Sequence, residues 1–395
     1  MLLRAGGFVK MIAAVALFLA VFFPAAFSSS AGQVSKEIVD QNLDAIFAGL
    51  TSREEPGLAV LVKKHGEIIF ERGYGVRDLR TKTAIDSRTN FRLASLTKQF
   101  TAMAIMLLAH DGKLRCEETL ADIFPEFPAY GKSIAIRNLL NHTSGLSDYE
   151  DSMDAEEKSR GRSIWSPEKQ ISDEEVLALL EKTTAPKFAA GTKWEYSNSG
   201  YVVLGLIVAK VSGESFSDFL RERIFSPLKM NRTLVFEKNK TEIPERAYGH
   251  SKRNGVFVET DQSSTSATQG DGGVYSSLED LSKWDDALRN HTLLSEKEFQ
   301  AALTPVNLPP GAETRLAEDA PESMRGRAVS YGFGWFLDLR STHPLMWHYG
   351  ETMGFKTAIQ RYTRDEVTII ILCNRTDLDP SSLALKASHL LLPTH

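Results

Sequence analysis

Ser95 and Lys98 stand three residues apart in Phe91-Arg92-Leu93-Ala94-Ser95-Leu96-Thr97-Lys98-Gln99-Phe100, at the mouth of an apolar run from Thr101 to Ala109. The run has helical spacing and Gly112 is its stop signal, so both residues share one helix face and the amine reaches the hydroxyl. A serine hydroxyl is a poor nucleophile until a neighbouring base takes its proton. A lysine amine acts as that base only when burial or another cation lowers its pKa toward neutrality. The free N–H groups of a helix start add donors for an oxyanion. The chemistry these residue types allow is acyl transfer through a serine ester. Ser-x-x-Lys also arises as a capping serine followed by a solvated lysine, so the pair gains its weight from partners elsewhere.

Two segments supply them. Tyr196-Ser197-Asn198 follows Gly191-Thr192-Lys193-Trp194 and precedes a helical run opening near Gly200. A loop entering a helix can aim a phenol and an amide into a cleft. A cation such as Lys98 beside Tyr196 favours the phenolate, which makes the tyrosine a candidate base toward Ser95 and acid toward the leaving group. Asn198 is placed to orient the lysine and bind a substrate carbonyl. His348-Tyr349-Gly350-Glu351 ends the run Pro344-Leu345-Met346-Trp347, just before Gly354-Phe355 opens another strand. Glycine in a strand lets a substrate backbone come close. The N–H groups of Ser95 and Glu351 would form a two-donor oxyanion hole. His348 would hydrogen-bond the Tyr196–Lys98 pair or bind the substrate.

These residues need a scaffold. Lys36 to Leu50 reads as an amphipathic helix with Ile38, Val39, Leu43, Ile46 and Phe47 on one face, broken by Pro56 and Gly57. Strand-like runs at Leu58 to Lys63 and Ile68 to Gly73 are joined by His65-Gly66, which makes His65 a turn residue rather than a ligand. Residues 112–195 are helical and loop-rich, and another helix runs from Gly200 to Gly213. Strand-like runs return at Gly332 to Leu337, Phe355 to Arg361 and Val367 to Leu372, and a helix from Ser381 to Leu392 closes the chain. Strands at both ends with helices between predict an α/β (α+β) fold. Its sheet comes from both chain ends, an all-helical domain is inserted at roughly 95–215, and Ser95 lies where they meet.

Composition narrows the functions. Residues 1–31 read as an export signal, with Arg4 and Lys10 before the apolar run Ile12 to Phe23 and small residues Ser29 and Ala31 for cleavage. The run falls short of the roughly 20 residues of a membrane span. No cysteine follows it, so lipid attachment is not indicated, and a periplasmic or secreted location is expected. Removing Arg4 and Lys10 moves the formal net charge from -5 to -7. Such mild acidity argues against nucleic acid or an anionic membrane as partner. The remaining roughly 360 residues imply two subdomains. Cys116 and Cys373 are the two cysteines, read as buried free thiols. No metal signature is present and no cofactor is implied.

In Ser95-Leu96-Thr97-Lys98, Tyr196-Ser197-Asn198 and His348-Tyr349-Gly350 the chain resembles the serine β-lactamase-related family. That family holds class C β-lactamases, D-alanyl-D-alanine carboxypeptidases, D-aminopeptidases and related carboxylesterases. The three segments match its S-x-x-K, Y-x-N and K/H-x-G motifs. Leu139-Leu140-Asn141-His142-Thr143-Ser144-Gly145-Leu146, Pro227-Leu228-Lys229-Met230, Gly272-Gly273-Val274-Tyr275-Ser276-Ser277 and Tyr331-Gly332-Phe333-Gly334-Trp335 also agree, in order and spacing. The match spans Ile38 to Leu392, giving a catalytic domain at 36–392. The resemblance implies a β-lactamase/transpeptidase-like fold and a metal-free acyl-enzyme mechanism on a small-molecule or peptide substrate. Ser95 would attack, Lys98 and Tyr196 would move protons, and Ser95, Gly350 and Glu351 would form the oxyanion and substrate strand. His142 falls in a motif that looks structural. Class C β-lactamases carry lysine and threonine where this chain has His348 and Tyr349, which favours a peptidase or esterase over a β-lactamase. A weakly active or inactive penicillin-binding or ligand-binding module is the other class of function. The α/β-hydrolase signature G-x-S-x-G is absent.

Overall fold

Leu58 to Val62 and Val367 to Cys373 are buried without interruption, and strands buried on both faces belong at the centre of a sheet. In the computed structural model they pair with each other at Val60↔Ile371, inside a seven-stranded antiparallel sheet. Its strands are β1 (Leu58–Lys64), β2 (Glu67–Tyr74), β3 (Ser330–Tyr331), β4 (Phe336–Asp338), β5 (Leu345–Thr352), β6 (Phe355–Tyr362) and β7 (Val367–Cys373), in the order β3-β4-β5-β6-β7-β1-β2. The structure describes residues 28–310 and 330–392 and, between them, 312, 314–316, 325 and 328. The export segment expected at 1–31 lies outside these residues except for its last four. Among the described residues no helix is long and apolar enough to cross a membrane.

Period-two alternation divides the sheet's side chains. Leu58, Val60, Val62, Ile369 and Ile371 face α1 (Ser28–Phe47) and the closing helix Pro380–Leu391, against Leu43, Phe47, Leu383 and Ala384. Ala59, Leu61, Ile370 and Leu372 face the larger core on the other side. Helix α1 starts earlier than the predicted Lys36. The larger core is built around α2 (Lys98–His110), with α3 (Tyr149–Arg160), α4 (Asp173–Glu181) and α5 (Asn198–Ser212) nearby. Helices α2 and α5 pack on each other and are apolar nearly all round, as buried helices must be. Ser197 caps α5 by accepting from Gly200 N, and Gly213 ends it at φ 80°.

The predicted strand Gly332 to Leu337 is two strands, β3 and β4, because Gly334 turns the chain between them at φ 77°. Short strands escaped the sequence: Phe91–Arg92 and Leu234–Val235 flank Val274–Ser276, and His250–Arg253 pairs with Val256–Glu259. Two to four residues show too little periodicity to read. Helix α6 (Leu278–Arg289) is tied to the sheet by a buried ion network. Asp285 accepts from Arg361 Nε at 2.7 Å and Thr368 Oγ1 at 2.8 Å, and Lys63 Nζ lies 3.3 Å away. Both cysteines are free, Cys373 buried and Cys116 only half-buried.

Candidate active site

Ser95 stands where a strand gives way to a helix. After Phe91–Arg92, Ala94 takes φ 49°, and a 3-10 turn at Ala94–Thr97 leads into α2. A non-glycine residue in the left-handed region persists only when its surroundings hold it. Here Leu93 N donates to Val274 O at 2.9 Å, and Thr357 Oγ1 donates to Leu93 O at 2.8 Å. The expected regular helix at Ser95 is therefore a tighter turn, with the α-helix beginning at Lys98. Gly350 of β5 lies directly against this turn. A Cβ there would sit 2.4 Å from Leu93 O and 3.0 Å from Ser95 N, so only glycine lets the strand approach.

Lys98 is fully buried and its Nζ donates to three acceptors: Ser95 Oγ at 2.9 Å, Asn198 Oδ1 at 2.9 Å and the Asp271 carbonyl at 3.0 Å. The last comes from the Gly270–Gly273 loop, where a Cβ on Gly270 would meet Tyr201 O at 2.2 Å. Burial pulls the amine down to about 8, against the opposing charges of Asp271, Asp148 and Glu150. Asn198 Oδ1 and Asp271 O can only accept. A neutral amine keeps its two hydrogens on them and turns its lone pair to the Ser95 hydroxyl.

The Tyr196 hydroxyl is hydrogen-bonded to Ser95, and Lys98 Nζ lies 5.0 Å from the centroid of its ring. Burial, with Tyr349 beside it, holds this phenol well above its ordinary value of 10.0. The phenolate expected from a neighbouring cation is not the resting form, because desolvation of the ring outweighs that attraction. Lys98 is the group poised to lose a proton.

His348 departs from expectation. It is buried, its Nδ1 donates to the Tyr349 carbonyl at 2.6 Å, and its Nε2 accepts from the Tyr331 hydroxyl at 3.0 Å. Burial and then Lys98 push it down to about 3. The ring stays neutral, and both nitrogens are used away from the Tyr196–Lys98 pair and the cleft. Tyr349 and Glu351, alternating with it along β5, line the cleft instead. Glu351 pairs with Lys356 at 3.0 Å. Because β4 pairs only with Leu345 to Trp347, the 348–352 edge of β5 runs beyond it beside Ser95.

The cleft has a volume of about 750 Å³. Ser95, Tyr196 and Asn198 share it with Trp194, Tyr349 and an acidic wall of Asp148, Glu150 and Asp151. Asp148 caps α3 through Glu150 N and also accepts from Asn198 N at 3.3 Å. Burial, then the Asp271 and Asp151 charges, raise its carboxyl. Glu150 is exposed at its surface, yet desolvation at the wall and then Asp148 and Asp271 push it up to about 7. Among the described residues no three His, Cys, Asp or Glu side chains are grouped to hold a metal. Sequence reasoning missed Asp271, whose contribution is a backbone carbonyl without side-chain signature. It also missed the acidic wall, signalled only by the Asp148-Tyr149-Glu150-Asp151 run.

An antiparallel sheet flanked by helices, with a serine, lysine and tyrosine meeting at its edge, defines the β-lactamase-fold serine hydrolases. The beta-lactamase family model matches residues 39–392, and the chain belongs to this family. It is 31% identical over 368 residues to Penicillin-binding protein 4* of Bacillus subtilis, covering 89% of this chain and 76% of the relative. In fold it resembles D-amino acid amidase from Ochrobactrum anthropi, with a TM-score of 0.71 at 24% identity over 90% of this chain and 97% of that one. EstCE1, a hydrolase with promiscuous acyltransferase activity, superposes with a TM-score of 0.71 at 19% identity over 91% and 99% of the two chains.

Proposed function

We propose that the protein is an exported serine hydrolase that cleaves a small amide, peptide or ester through an acyl-enzyme on Ser95. The observation that carries this reading is Lys98, buried, brought near neutrality and within 2.9 Å of the Ser95 hydroxyl. Neutral Lys98 takes the Oγ proton as Oγ bonds to the substrate carbonyl carbon. The negative oxygen of the tetrahedral intermediate is held by the N–H groups of Ser95 and Glu351. The protonated Tyr196 gives its proton to the departing group and is reprotonated from the Lys98 ammonium. The carbon–leaving-group bond breaks, leaving the Ser95 ester. Water, deprotonated by the same amine, then attacks the ester, and as the ester bond breaks the ammonium returns the proton to Oγ, freeing Ser95 and the acid product.

The cleft favours an apolar acyl group. Trp194 and Tyr349 offer aromatic surface, Lys193 and Arg315 share the lining with the acidic wall, and His348, neutral and buried, offers no charge to a substrate carboxylate. The D-amino acid amidase and hydrolase neighbours accord with amide or ester turnover. The test is steady-state turnover of an amino-acid amide, a short-chain nitrophenyl ester and a penicillin. The reading predicts rapid release from the amide or ester and none from the penicillin. Rapid penicillin hydrolysis would make the protein a β-lactamase, and a lasting penicilloyl adduct without ester turnover would make it a binding module.

A further inference from the structure

His142 takes no part in lining the cleft, yet it grips the chain on both sides of Tyr196. Its carbonyl accepts from Glu195 N at 3.0 Å, and its ring Nδ1 accepts from Ser197 N at 3.1 Å. Between these two anchors its ring packs on Tyr196, with centroids 4.3 Å apart and planes tilted by 35°. A backbone N–H only donates, so Nδ1 carries no proton and the neutral ring is the Nε2–H tautomer. Nε2 is buried without a hydrogen-bond partner, in a ring flanked by Tyr331 at 4.5 Å and Tyr201 at 5.1 Å. The residue also holds a left-handed backbone, φ 60°, a conformation uncommon outside glycine but one that histidine and asparagine take more often than most residues.

An apolar ring of similar size would fill this space while removing a buried polar atom. It would also leave the N–H of Ser197, a buried residue, with no acceptor. That N–H belongs to the residue that follows Tyr196 and caps α5, so its position sets where the phenol points.

We propose that His142 is a positioning residue for Tyr196, its Nδ1 acceptor fixing the Ser197 amide and through it holding the phenol at the Ser95 hydroxyl. The inference rests on the reading of Ser95 as nucleophile. Two substitutions separate the parts. His142→Asn keeps an acceptor near Nδ1 and tolerates the left-handed backbone, whereas His142→Phe keeps a ring and loses the acceptor.

The experiment measures acylation of Ser95 by a nitrophenyl ester, as the burst of nitrophenolate per folded molecule. A displacement of about 1 Å in a reacting group slows chemistry by about 100-fold, so His142→Phe is expected to lose about that factor. Its KM should hold, since His142 does not touch the cleft, and His142→Asn should keep most of the wild-type rate. Wild-type acylation in His142→Phe, or equal losses in both variants, would overturn the proposal. A second measurement needs no variant: nitrogen-15 NMR of histidine-labelled wild type reads the tautomer. The Nε2–H form with a slowly exchanging Ser197 amide supports the anchor, and an Nδ1–H ring overturns it. Absence of a burst in the wild type would refute the hydrolase reading alone, leaving the tautomer to decide the anchor.

Discussion

Raising the pH from 6 to 9 should switch on acylation, because the active base is the neutral form of Lys98. With the amine at about 8, the neutral fraction is about one in a hundred at pH 6, about one in ten at pH 7 and about nine in ten at pH 9. With a fixed amine pKa acylation would climb by about 90-fold over this range and level off above about pH 9, which is the upper bound for the wild type. Glu150 shapes the climb. Its carboxyl, at about 7, ionises in the same window, and its negative charge favours the Lys98 ammonium. The rise should be shallower than tenfold per pH unit in the wild type. Glu150→Gln removes that charge, so its profile should be steeper and its midpoint should move to lower pH. The assay is the stopped-flow burst of nitrophenolate from a short-chain ester, with hydrolysis in Ser95→Ala subtracted at every pH. A flat profile would show that Lys98 is not the base. A rise that begins only near pH 10 would return the role to a Tyr196 phenolate. A midpoint that moves upward in Glu150→Gln would refute the electrostatic account of the acidic wall.

Other outcomes follow from the same geometry. Tyr196→Phe should slow acylation by about 100- to 10,000-fold, the range of a general acid–base group, with little change in KM by steady-state kinetics. Gly350→Ala would place a methyl 2.4 Å from Leu93 O and 2.5 Å from Thr357 Oγ1. It should lower stability by about 1–3 kcal/mol in urea titration and abolish the burst by pushing β5 off the Ser95 turn. Asp285→Asn leaves Lys63 and Arg361 buried without their shared carboxylate. It should cost about 3–5 kcal/mol in the same titration while sparing Ser95 chemistry in the molecules that remain folded.

The sequence showed the parts of the site that side-chain type and local spacing determine. Ser95 and Lys98 meet because three residues make about one turn, even though that turn is 3-10 rather than α. The continuous apolar runs at 58–62 and 367–372 are legible as central strands because burial on both faces leaves no alternation to interpret. His348 could be placed on a strand but not on a face. One residue of register decides whether a side chain enters the cleft or turns toward Tyr331, and no local pattern sets that register. Tyr196 was misjudged for a related reason. The neighbouring cation is visible in the sequence, whereas the burial that outweighs it arises from Trp194, Tyr331 and Phe336 packing around the ring. The third acceptor of Lys98 left no trace, since any residue at position 271 would offer the same carbonyl.

The most direct test of the acyl-enzyme is intact-mass spectrometry of protein quenched during ester turnover, followed by peptide mapping. The expected result is a mass increase equal to the acyl group, located on Ser95 and absent from Ser95→Ala, which should otherwise fold with a loss of about 1–3 kcal/mol, that of removing one partner of a buried hydrogen bond. An adduct on another residue, or undiminished turnover by Ser95→Ala, would contradict it.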